Sequence, residues 1–163
     1  MSLGHIEYLN IIPAAAPADV TTTATPTVWV DMSLCHKVGF LAIFGACTAS
    51  AADVVTFTVE VSSVSVSNSS EAAVPFMYRL SGAIAANTWT APTASSSYAP
   101  LNTAVDSKLV YIEMDPALAL ATKSDARWCR ATLTAGGSAV IVGWLVITEP
   151  RFMQAVTIPN VTV

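Results

Sequence analysis

The sequence predicts an all-β fold: a single-domain antiparallel β-sandwich, jelly-roll-like, of about eight strands with an extended N-terminal arm. Three observations carry that prediction. Val55, Phe57, Val59 and Val61 alternate with Thr56, Thr58, Glu60 and Ser62, the period-2 pattern of a strand with one face buried. Further apolar runs recur at roughly 10-to-15-residue spacing with turn residues between them, which favours a sandwich over alternating strands and helices. The 163 residues suffice for one domain with a sizeable core and are short for two all-β domains.

Residues 1–26 read as the arm. Ile6, Tyr8, Leu9, Ile11 and Ile12 are followed by Pro13, three alanines, Pro17 and a threonine-rich stretch to Pro26. Proline removes ladder donors and favours extended or edge structure, and so many apolar side chains require a surface to lie on. Residues 27–163 form the sandwich domain. Its first strands fall at 28–30, 38–44 and 53–66, followed by a turn at Ser67-Asn68-Ser69-Ser70. A strand at 74–80, with Pro75 marking an edge, ends before Gly82. Residues 87–101 read as a long surface loop carrying Trp89 and Tyr98, with a short strand around Trp89.

A strand at 108–114 ends at Asp115-Pro116, where Asp115 caps one helical turn through Leu120, the single helix predicted. Strands at 127–134 and 139–148 are joined by Ala135-Gly136-Gly137-Ser138, a hairpin connection with glycine where positive φ is wanted. Residues 152–158 add a last strand. No repeat with a period of 20 to 50 residues is present.

Hydrophobic residues make up 53% of the chain and charged residues 11%, against about 25% charged in an average globular protein. Much of the surface is therefore neutral, and assembly with copies of itself or a partner is the first expectation. The net charge of -4, with seven Lys and Arg spread singly, leaves no basic stripe for nucleic acid. The longest apolar stretches, 38–47 and 139–147, fall well short of the roughly 20 residues of a membrane-spanning helix. The N-terminus lacks the basic and apolar regions of a secretory signal, so action where the chain is made, or on a particle assembled there, is expected.

Catalytic, metal and cofactor residues are not assigned, and an enzyme is not expected. The carboxylates show no spacing that brings two onto one strand face. Cys35 and His36 are adjacent, which on a strand points them to opposite faces, and His5 stands alone in the arm. No GxSxG, GxGxxG or GxxxxGK[ST] pattern occurs. Cys35, Cys47 and Cys129 are odd in number without a CxxC pair and read as free thiols in apolar runs. Trp29, Trp128 and Trp144 sit in strand patterns and read as core or sheet-face residues. Trp89, near Tyr98 in the polar loop, reads as an interface or ligand residue.

Ile11-Ile12-Pro13, then Pro17 to Thr21, Cys35-His36-Lys37-Val38-Gly39-Phe40 and the alternating strand from Val54 come in an order that resembles small virion structural proteins of tailed bacteriophages. Tyr78-Arg79, the Thr/Ser/Ala-rich loop, Val110 to Glu113 and Trp128 to Leu133 extend the resemblance, which is closest to head decoration or cement proteins. The resemblance implies no catalytic residues and no cofactor. It implies a chain made in the host cytoplasm that sits on the outside of the capsid, partnered by the major capsid protein and by copies of itself, often as a trimer. The candidate interface is then Ile6, Tyr8, Leu9, Ile11 and Ile12 of the arm, with Trp89 and Tyr98. Arm exchange would spread contacts over several subunits and raise effective affinity. The alternatives are a tail, neck or fibre-associated virion component, and a carbohydrate-binding or host-recognition sandwich acting through Trp89 and Tyr98.

Overall fold

Residues 9–21, 24–48, 53–66, 71–83, 86–151 and 161–162 are described by a computed structural model. The alternating segment forms strand β5 (Val55–Ser62), with Val55, Phe57, Val59 and Val61 fully buried. Around it the chain builds two antiparallel sheets packed face to face as a β-sandwich.

The first sheet has six strands in the order β1 (Asn10–Val20), β11 (Val140–Pro150), β4 (Cys35–Cys47), β9 (Leu109–Met114), β7 (Phe76–Leu80) and β8 (Thr93–Ser95). The second runs β12 (Val161–Thr162), β3 (Trp29–Asp31), β10 (Trp128–Ala135), β5 and β6 (Ala72–Ala73), with the two-residue β2 (Thr25–Pro26) also paired to β10. Strand pairs β3·β12, β4·β11, β5·β10 and β7·β9 nest one inside the next. The chain is thus one long hairpin wound across both layers, which is what makes the sandwich jelly-roll-like.

The two layers meet through aromatic side chains. Phe57 of β5 stands edge-to-face to Phe44 of β4 at 5.9 Å and to Trp144 of β11 at 6.0 Å. Phe40, Phe76, Ile112 and Leu133 are buried alongside these rings and complete the core. Trp29, Trp128 and Trp144 are all buried, as their strand positions predict. Gly137 closes the β10–β11 hairpin at φ 123°, the positive φ anticipated there.

Several expectations shift. Over residues 10–20 the expected arm is edge strand β1, in register with β11 from Asn10↔Thr148 to Val20↔Val140. Register shifts between Pro13 and Ala15 and between Ala15 and Ala18 accommodate the prolines, so the chain stays extended while still bonding its neighbour. Thr25 and Pro26, at the end of the segment read as the arm, pair with β10. Residues 1–8, the turn at 67–70 and the strand expected at 152–158 lie outside the described residues.

One helix was expected and two are present among the described residues. α2 (Pro116–Thr122) starts as predicted, with Asp115 accepting from the Ala117 amide at 2.8 Å. The additional α1 (Asn102–Val105) is held by tertiary bonds: the Asn102 side chain donates to the Thr48 carbonyl at 2.7 Å and its amide to the Asp53 carbonyl at 3.0 Å.

Asp31 ends β3 and is only 2% exposed. Its Oδ1 accepts from the Ser33 amide at 3.0 Å and hydroxyl at 2.7 Å, and its Oδ2 from Arg127 Nε at 3.1 Å and Nη2 at 2.7 Å. This ties the 3-10 turn at Met32–Leu34 to the start of β10. Burial by itself would raise the Asp31 carboxyl, but the Arg127 and Ser33 hydrogen bonds and the Arg127 charge outweigh it and hold it below its ordinary value near 3.8. A carboxyl lowered by folding stabilises the native state above its unfolded value and loses that contribution as pH falls through the folded one. Asp31→Asn is therefore expected to cost about 1–3 kcal/mol at neutral pH, and the gap to wild type to narrow below about pH 4. Thermal unfolding midpoints across a pH series check this; a gap that stays constant with pH refutes it.

Candidate interaction surface

Because side chains alternate along each strand, the register assigns every outward residue of the two sheets. On the second sheet that outer face is polar and internally paired. The Arg130 guanidinium lies 4.5 Å over the Trp29 ring, with Nε 2.9 Å from Glu60 and Nη2 3.2 Å from Glu71. Arg127 lies 5.4 Å over Trp128 while paired to Asp31.

The outer face of the first sheet is apolar along the middle of β4 and β11. Following the register across strands, one row reads Ile11, Ile147, Gly39, Glu113, Met77 and Ala94. The next reads Pro13, Leu145, Leu41, Tyr111 and Arg79, and the one after it Gly143, Ile43 and Leu109. Ile11 is 56% exposed, Ile43 40% and Ile141 42%. Charges stand at the margins: Lys37 reaches Glu113 at 2.7 Å, with Glu149 beside it on β11.

Two glycines keep this face level. A Cβ on Gly39 would stand 2.5 Å from the Tyr111 hydroxyl, so the ring lies flat across the glycine, and burial pushes the Tyr111 phenol up. A Cβ on Gly143 would stand 3.0 Å from the Pro17 ring, so β1 folds over the same face there. Beside Tyr111 an open cavity of about 530 Å³ has Leu41, Met77 and Ile147 beneath it, Trp89 and Pro92 as a wall, and Arg79 and Glu113 as its charged groups.

The predicted interface residues distribute unevenly over this surface. Ile11 stands on it, Leu9 and Ile12 are half-buried, and Ile6 and Tyr8 lie outside the described residues. Trp89 is 40% exposed in the cavity wall. Tyr98 is engaged elsewhere: it stacks on Tyr78 at 3.9 Å and on Phe57 at 5.8 Å, exchanges backbone hydrogen bonds with Phe57, and has its phenol raised by burial. It covers the edge of β5 and shares no platform with Trp89. Sequence reasoning missed Leu41, Ile43, Tyr111, Leu145 and Ile147. The signal was present in the runs 38–47 and 139–147, which fail to alternate and so mark strands with two apolar faces.

Among the described residues no group of three or more His, Cys, Asp or Glu side chains is placed to hold a metal ion. The three cysteines are free. Burial, and more weakly the Asp31 charge, push Cys35 up to about 11, and burial raises Cys129 well above the ordinary thiol range, so neither forms a reactive thiolate at neutral pH.

With the other three tryptophans buried, Trp89 is the one open to a soluble quencher. Acrylamide is expected to quench one component of the tryptophan fluorescence, and Trp89→Phe to abolish that component while leaving the unfolding midpoint within a few degrees. Quenching that persists in Trp89→Phe shows that a core tryptophan is accessible and sinks the assignment. No family model matches this sequence, and no curated protein matches it.

Proposed function

We propose that this chain is a structural protein of a particle shell, a virion decoration or cement protein of the tailed-bacteriophage kind, which attaches through the outer face of its first sheet. The observation that supports this best is that β4 and β11 are apolar on both faces although only one face meets the core. Association by strand addition is disfavoured, because the sheet edges are blunted among the described residues. β1 carries Pro13 and Pro17, β8 has three residues, and β6 and β12 have two each. The outer face of the second sheet has satisfied its charges internally. The first sheet's outer face is what remains for a partner.

A capsid exterior offers that partner in many identical copies, so a modest apolar contact repeated over the shell adds strength without one tight site. The major capsid protein and further copies of this chain are the partners this reading implies. A tail, neck or fibre-associated role uses the same face and differs in copy number. Quantitative mass spectrometry of purified particles separates them: abundance comparable to the main shell protein supports decoration, and a handful of copies supports the tail or neck.

Ile43→Glu places a charge in the middle of the face at an exposed position. Binding to purified shells is expected to weaken roughly tenfold or more, since an unpaired charge in an apolar contact costs several kcal/mol. Thr134→Glu, on the second sheet, is expected to leave binding unchanged. Wild-type binding by Ile43→Glu overturns the proposal.

A further inference from the structure

Two aromatic rings line the cavity on the β7 side of the first sheet. Tyr111 lies flat over Gly39 and so turns a ring face, not an edge, to the cavity. Trp89 pairs with Ser81 just beyond the end of β7, which puts its side chain on the same outward face as Arg79 and Met77, two and four residues before Ser81. Backbone bonds on both sides of Trp89 fix that wall. The Gly82 amide donates to the Thr88 carbonyl at 2.8 Å, the Thr90 amide to the Leu80 carbonyl at 2.9 Å, and the Leu80 amide to the Thr90 hydroxyl at 2.9 Å. A Cβ on Gly82 would collide with the Thr88 hydroxyl, so the glycine is what lets the two segments close. A wall held in this way costs little further ordering when a ligand arrives.

The polar groups narrow the ligand further. Arg79 and Glu113 are the charged side chains of the lining, and they are opposite in sign, so the cavity favours no net charge. Arg79 offers donors alone and Glu113 acceptors alone, with Glu113 Oε1 already accepting from Lys37 at 2.7 Å. A wholly apolar ligand would desolvate both charges without pairing them, which is costly, and an ion would meet a charge of its own sign. The ligand that fits is neutral, has a C–H face to lie on aromatic rings, and carries donors and acceptors around its edge. A pyranose ring has all three: its C–H groups carry partial positive charge toward the negative ring face, and each hydroxyl both donates and accepts. The cavity, at about 530 Å³, lies within the roughly 300–1,000 Å³ of small-molecule sites. We infer that it binds a neutral saccharide, with Tyr111 and Trp89 as platforms and Arg79 and Glu113 holding the hydroxyls. This goes beyond shell attachment and does not rest on it, since the patch proposed to meet the shell centres on Ile43, outside the cavity lining.

The full-length protein, probed on an array of neutral glycans ending in glucose, galactose, mannose or N-acetylhexosamine together with sialylated and sulfated counterparts, is expected to bind neutral members. Isothermal titration calorimetry with the free oligosaccharide of strongest signal is expected to give a Kd of about 1 mM or tighter, and the same oligosaccharide to protect Trp89 from acrylamide. Trp89→Ala and Tyr111→Ala are each expected to weaken binding roughly tenfold or more, and Tyr111→Phe, which keeps the ring face, to leave it within about twofold. Glu113→Gln is expected to weaken it less than either alanine variant. Ile43→Glu is expected to bind the oligosaccharide as wild type does, so the saccharide site and the shell contact stand or fall separately. No binding to the array, a preference for the sialylated or sulfated glycans, or binding undiminished in both alanine variants overturns the assignment. So does protection of Trp89 by the apolar dye anilinonaphthalene sulfonate where no saccharide protects it, which gives the cavity to an apolar ligand.

Discussion

β4 and β11 are apolar on both faces, and the rest of the structure is organised around that constraint. Their inward residues, Phe40, Ala42 and Phe44 with Val142, Trp144 and Val146, all belong to the core. Those rings interlock with Phe57 from the opposite layer, which sets how the sheets sit on one another. Their outward residues, Leu41 and Ile43 with Leu145 and Ile147, are left over. A single sandwich covers only one face of each sheet, so two central strands of this kind leave a surface that one copy cannot bury.

The rest of the chain keeps that surface from pairing indiscriminately. Prolines and register shifts in β1, and very short strands at the other edges, withhold the continuous row of backbone donors and acceptors through which sheets aggregate. Residues 98–102 and β6 together cover the free side of β5, with hydrogen bonds at Val55, Phe57 and Val59. Gly39 and Gly143 are roofed by Tyr111 and Pro17, which flattens the apolar face. A flat face with charged margins selects a complementary flat partner.

The fold was legible where local pattern and tertiary use agree. The alternation at 55–61 identified β5 because one of its faces is buried and the other carries Thr58 and Glu60. Asp115-Pro116 identified the start of α2 because capping is a local interaction. Legibility failed where a distant partner decides. The prolines of residues 10–20 pointed to an arm, and only the backbone of β11 shows that the segment has a ladder to join. Asn102 starts a helix because of Thr48 and Asp53, which no local pattern reveals. Trp89 and Tyr98, close in sequence, were read together, yet Phe57 and Tyr78 draw Tyr98 to the β5 edge and leave Trp89 in the cavity.

The distribution of charge follows the same division of labour. With only 11% charged residues, the chain has few ion pairs to place, and the Asp31–Arg127 and Arg130–Glu60–Glu71 groups lie along the second sheet and its border. There they are partly shielded and hold segments distant in sequence together, where a pair on an open surface would contribute little. On the first sheet Lys37, Glu113, Glu149 and Arg79 stand around the apolar patch of Leu41, Ile43, Leu145 and Ile147 and leave the patch itself uncharged. In the proposed shell role a partner covers that patch. On this view the low charge content and the doubly apolar strands have a common origin: both suit a chain whose working state is bound.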